Sequence, residues 1–178
     1  MYISYTRHLF HDIQKSVFMN ATRFWEIIET AWTTDRDLYN LRETALTTND
    51  PSLIRYLGNI VSSEITDHIQ QQLIYLDERE LTKFNHVMEE KLFHIDREEI
   101  HERIGGTDDG FLHRRCFIVG MGEQYYDMVD ENPAVATLNV SSGEIGFIGY
   151  SVYQDKFGEE FERYCLHCIE SGSNSRGW

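Results

Sequence analysis

Apolar residues return along most of this chain every third or fourth position, the period of an α-helix that packs by one face. Ile3, Leu9, Phe10, Ile13 and Val17 form a loose stripe of this kind. Asn20-Ala21-Thr22 then offers capping side chains ahead of Phe24, Trp25, Ile27, Ile28, Ala31 and Trp32, which make one broad apolar face. The polar run Thr33-Thr34-Asp35-Arg36-Asp37 breaks the pattern. Leu38, Leu41, Ala45 and Leu46 predict a short helix ended by Thr47-Thr48-Asn49-Asp50-Pro51. Pro51 suits the first turn of the next helix, with Asn49 or Asp50 as its cap. That helix is expected from about Ser52 to Tyr75, on Leu53, Ile54, Leu57, Ile60, Val61, Ile65, Ile69 and Leu73. Gly58 within it either bends the helix or permits a close contact.

Two D-x-x-E sequences, Asp77 to Glu80 and Asp96 to Glu99, read as capping boxes that start helices. The first leads into Leu81, Phe84, Val87, Met88, Leu92 and Phe93, the second into Ile100 and Ile104, where Gly105-Gly106 stops the chain. Beyond, Phe111, Leu112, Cys116, Phe117, Ile118 and Val119 fit a buried strand or a buried helix equally well. Tyr125, Tyr126, Met128 and Val129 return to helical spacing, and Asn132-Pro133 signals a turn. The glycine-rich residues 141–149 read as a short hairpin, or as a helix start capped by Ser142 with Glu144 and Ile145 in its first turn. Residues 151–170 read as helix and the polar residues 171–178 as a loose tail. Strand-like alternation is scarce. The expectation is a mainly α fold: one compact multi-helix domain over 19–170, with a helical extension over 1–18. Phe24, Ile28, Leu57, Ile65, Phe84, Met88 and Phe117 are its expected core.

Composition agrees with a folded domain: 41% of the 178 residues are apolar and 13% aromatic, which excludes global disorder. No apolar run approaches the roughly 18–20 residues of a membrane span. The opening residues lack the unbroken apolar stretch of a secretory signal, so a cytoplasmic protein is expected. Sixteen Lys and Arg against thirty Asp and Glu give a formal charge of −14, which disfavours direct nucleic-acid binding. Such a charge is either an ordinary solvated surface or the means of docking a basic partner quickly. Cys116, Cys165 and Cys168 are an odd set of thiols, as in a reducing compartment. Cys165 and Cys168 form a C-x-x-C, but no second such pair and no H-x-x-x-H accompanies it, so no metal and no cofactor is expected.

The most unusual stretch is Gly105-Gly106-Thr107-Asp108-Asp109-Gly110-Phe111. Together with Phe24-Trp25-Glu26-Ile27-Ile28 and the segment from Gly122 to Asp130-Glu131-Asn132-Pro133, it resembles the bacterial domain-of-unknown-function family 4240 over roughly residues 19–161. That family's element typically contains a cysteine, as GGCSDDGF, where this chain runs Gly105-Gly106-Thr107-Asp108-Asp109. Residues 1–18 and about 34–50 look like additions. The resemblance implies a fold and brings no activity with it.

Three readings of the acidic loop follow from chemistry. Thr107 or Asp108 caps a helix beginning near Gly110, with Arg114 or Arg115 bridging back to a carboxylate. A hard-metal loop is disfavoured, because Asp108 and Asp109 are adjacent and point apart. An acid–base site would pair Asp108 or Asp109 with a histidine such as His113. No P-loop, nucleophile elbow or dinucleotide fingerprint is present. The helix pairs Glu64–His68 and His86–Glu89 read as solvated ion pairs. The expected function is therefore a protein-binding module using Asp108, Asp109, Arg114, Arg115, Trp32, Tyr125 and Tyr126. Its sharpest form is an immunity-type protein that covers the active site of a basic toxin. The alternative is an enzyme built on Asp108, Asp109 and His113.

Overall fold

A computed structural model of the chain describes residues 18–161 and 166–178. The helical stripe expected over 3–17 and the thiol of Cys165 lie outside them. Among the described residues the regular structure is helical throughout. Its elements are α1 (Ala21–Thr33), α2 (Arg36–Thr48), α3 (Pro51–Ile60), a π-helical turn (Val61–Ile65), α4 (Thr66–Leu73), α5 (Glu78–His94), α6 (Glu98–Ile104), α7 (Asp108–Gly120), α8 (Glu123–Glu131), a 3-10 turn (Pro133–Val135) and α9 (Glu144–Phe157).

The local signals account for most of the boundaries. Asn20 Oδ1 accepts from the Arg23 amide at 2.9 Å and starts α1. Asp50 accepts from the amides of Ser52 and Leu53 beside Pro51, so a cap and a fixed proline φ together start α3. Asp77 and Glu80 form the reciprocal capping box at α5. The expected long helix runs from Pro51 to Leu73 and contains the π turn, where Thr66 Oγ1 donates to the Val61 carbonyl at 2.6 Å. Gly58 serves close contact: a Cβ there would lie 2.5 Å from Val140 Cγ2.

The core lies where α1, α4, α5, α7 and α9 meet. Phe24, Ile28, Leu57, Ile65, Phe84, Met88 and Phe117, one set of stripe residues, are all buried. Residues 111–119 belong to a helix, since α7 is wrapped by α5, α8 and α9 and is apolar on nearly every side. Of the two readings of 141–149, the hairpin is absent and the helix start holds: α9 begins at Glu144, with Ile145 in its first turn. Its glycines are there for packing. Cys116 Sγ lies against Gly146 and Asn85 Oδ1 against Gly149, so any side chain would push α9 away from α7 and α5. Ser142 does not cap this helix; its hydroxyl is buried without a hydrogen-bond partner. The helix expected through residue 170 ends instead at Gly158, in the left-handed conformation.

Candidate functional site

The Thr107-Asp108-Asp109-Gly110 turn is built around a helix start. α6 ends at Gly105, with φ +67°, and Gly106 follows at +117°. A Cβ on Gly106 would stand 2.8 Å from the Phe111 amide nitrogen, so only glycine fits. Thr107 Oγ1 then accepts from the Gly110 amide at 3.3 Å and caps α7. Asp108 and Asp109 occupy the first turn, exposed, where their charge faces the positive end of the helix.

The turn delivers Arg115 into the interior. Arg115 is fully buried and donates to the carbonyls of Leu92 at 2.7 Å and Ile169 at 2.9 Å, and to Ser171 Oγ at 3.2 Å. Its guanidinium lies 4.7 Å from the Phe111 ring centroid and 3.8 Å from Asp96 Oδ1. Burial pulls the guanidinium below its ordinary value and Asp96 pulls it back up, yet an arginine remains charged here. Arg115 therefore builds the fold and cannot touch a partner, contrary to the sequence expectation.

Asp96 is likewise fully buried and is not the N-cap of α6, as the D-x-x-E spacing suggested. Its Oδ1 accepts from the Gly172 amide at 3.1 Å. Its Oδ2 accepts from the Asn174 amide at 3.1 Å and Ser173 Oγ at 3.2 Å. The free end of α6 is met by the tail instead: the Glu98 amide donates to the Gly177 carbonyl at 2.8 Å. Trp178 closes the assembly, 5.3 Å from the His101 ring centroid and 6.1 Å from that of Phe111. Residues 171–178 are thus held by specific bonds where a loose tail was expected.

The other expected anchors are also interior. Trp32 is buried, with Nε1 donating to the Gly120 carbonyl at 2.9 Å. Tyr125 receives the Thr137 amide on its hydroxyl, and Tyr126 donates to the Lys91 carbonyl. Burial raises both phenols above their ordinary value. The D-x-N-P turn is tied to the same region, since Asp130 holds Arg97 at 3.0 Å. Asp108, Asp109 and Arg114 remain reachable, while His113 lines a shallow cavity with Ser62, Ser141, Gly143, Glu144 and Phe147. Neither Asp108 nor Asp109 belongs to that cavity, so the structure does not assemble the expected acid–base set there.

Two further clusters stand out. Between α1, α2 and α8, a groove is lined by Glu29, Glu43, Glu123 and Asp127, with Arg42 in its floor and Tyr39 and Gln124 beside them. Arg42 is only 4% exposed; it binds Glu29 at 2.6 Å and Glu43 at 3.2 Å. Partial desolvation, and then the charges of Asp127 and Glu29, push the Glu123 carboxyl up, while Lys91 pulls it down. On α5, Glu89 is buried between two donors. Tyr150 donates to Oε1 at 2.7 Å and His86 Nδ1 to Oε2 at 2.9 Å, beside a cavity of about 220 Å³. The i, i+3 pair read as solvated is therefore solvated on the histidine side only.

The overlooked residues carried a signal. Arg42 falls in register with Leu38, Ala45 and Leu46, and Asn85 and Glu89 fall beside Phe84 and Met88, all on stripes that face the core. A polar residue on such a stripe needs a buried partner. Asp96 offered no such cue, because its partners lie 76 to 78 residues away.

The family profile described as "Protein of unknown function (DUF4240)" matches residues 19–162. No curated protein and no solved structure matches the chain. The match covers the whole helical body from the start of α1 past the end of α9, so the chain belongs to the DUF4240 family.

Proposed function

We propose that this chain is an acidic protein-binding module of the immunity type, one that neutralises a basic bacterial toxin by covering its active site. The observation that carries this reading is the groove of Glu29, Glu43, Glu123 and Asp127. Four carboxylates stand there against one arginine, and that arginine is sunk beneath them and already paired. Burial first, and then the charges of Asp127 and Glu29, raise the Glu123 carboxyl, and the repulsive part is relieved when cationic side chains of a partner arrive. The overall charge of −14 adds long-range attraction and a fast encounter. Exposed Asp108 and Asp109 belong to the same acidic surface chemistry. Among the described residues no helix is long and apolar enough to cross a membrane.

The test is capture of partners from the native host by the full chain, in parallel with a Glu123→Lys/Asp127→Lys variant. A basic polypeptide retained by the wild type at low salt, released as salt rises and lost from the variant, supports the reading. Co-expression should then suppress that polypeptide's toxicity. A partner held equally by both proteins, or one that is acidic, overturns it.

A further inference from the structure

Outside the acidic groove, the cavity of about 220 Å³ beside α5 combines features that core packing does not require. Its described lining includes Lys83, His86, Glu89, Glu90, His167 and the apolar side chain of Val87. Glu89 has a side chain only 2% exposed, whereas that of His86 is 38% exposed. A carboxylate only accepts hydrogen bonds, so Nδ1 is the nitrogen that donates to Glu89, and Nε2 is the ring nitrogen left for a ligand. Tyr150 fixes the second carboxylate oxygen. The Phe161 ring, stacked on Tyr150 at 5.4 Å, also lies 5.5 Å from the His86 ring. The imidazole is thus oriented by bonds and by packing, as in sites where a carboxylate sets the tautomer of a working histidine.

The charge of the lining selects the ligand. Glu89 and Glu90 are opposed by Lys83, whose Nζ lies 5.3 Å from the Phe18 ring centroid. An imidazole nitrogen left over from the Glu89 bond, beside two carboxylates, suits a cation that donates. The volume is below the roughly 300–1,000 Å³ of pockets for drug-sized ligands, so the ligand is small. We propose that this cavity binds a small organic amine: its ammonium donates to His86 Nε2 in the field of Glu89 and Glu90, and its apolar body lies against Val87 and Met19. This site is independent of the acidic groove, and either can fail without the other.

The test is a titration of the full chain, followed by the ¹⁵N shift of His86 Nε2, with benzylammonium, benzyl alcohol and benzoate as three probes of nearly one shape. The amine should produce a saturable shift, and the alcohol should bind roughly tenfold or more weakly, as expected when a charge-assisted bond is lost. His86→Gln, read from neighbouring amide shifts, and Glu90→Gln should each weaken the amine by a similar factor. Both replace side chains with solvent access, so the fold should persist; the three-probe comparison on wild type needs no variant at all. Equal binding of alcohol and amine would show an apolar pocket, and preference for benzoate an anion site. Either result, the absence of a saturable shift, or unchanged affinity in His86→Gln overturns the proposal.

Discussion

Asp96→Asn separates two accounts of one residue by several kcal/mol. If Asp96 only capped α6, asparagine would serve almost as well, because the two are nearly equal caps, and stability would change by less than about 0.5 kcal/mol. In the structure the carboxylate accepts bonds on both oxygens, from the amides of Gly172 and Asn174 and from Ser173 Oγ, and it faces Arg115. An amide has one oxygen. Whichever way it turns, its NH₂ meets a donor, and each buried donor left unpaired costs about 1–3 kcal/mol. Arg115 also loses its counter-charge, and breaking a buried ion pair typically costs about 3–5 kcal/mol. The two costs overlap, because detachment of the tail lets water reach Arg115. We therefore expect a loss of about 3–5 kcal/mol in urea unfolding followed by circular dichroism. Hydrogen exchange at the Gly172 and Asn174 amides should lose its protection at the same time. Arg115→Met combined with Asp96→Asn should cost less than the sum of the single changes, the mark of direct coupling. A loss under about 1 kcal/mol, with both amides still protected, refutes the latch.

Thr107→Ala should lower stability by about 1 kcal/mol through the lost cap, whereas Asp108→Asn or Asp109→Asn should cost about 0.3–1 kcal/mol; urea titrations that reverse this order would discard the capping account. Gly106→Ala forces a Cβ against the Phe111 amide at positive φ and should cost about 1–3 kcal/mol, measurable as a fall in Tm. Phe84→Ala, in the fully buried centre of α5, should cost about 3–5 kcal/mol, and a value well under 1 kcal/mol would mean that α5 presents a different face. Burial pushes the Cys116 thiol up to about 12, so iodoacetamide at neutral pH should label exposed Cys168 and leave Cys116 untouched until unfolding. A free thiol ionises at about 8.5, so Cys116 is protonated in both states at neutral pH. Its contribution appears as a fall in stability as pH rises from about 8.5 toward about 12, where the unfolded chain alone has released the proton.

What the sequence determined by itself is what acts within a turn or two of helix. Asn20, Asp50, Asp77 and Thr107 cap helices because a side-chain oxygen and the amides it bonds are two or three residues apart. The core stripes from Phe24 to Met88 were legible because burial of one face leaves a period in the residues. Residues 111–119 and 141–149 were not legible, since an apolar run or a glycine cluster has no period, and its form is settled by the helices packed around it. The acidic loop showed its residues but not its consequence. Asp108 and Asp109 stay at the surface, and the turn's work is to carry Arg115 inward to Asp96. Arg115, Asp96, Glu89 and the last eight residues reach partners from 19 to 81 positions away. Only the folded chain brings such groups together, and a buried charge has no meaning until its counter-charge has been placed.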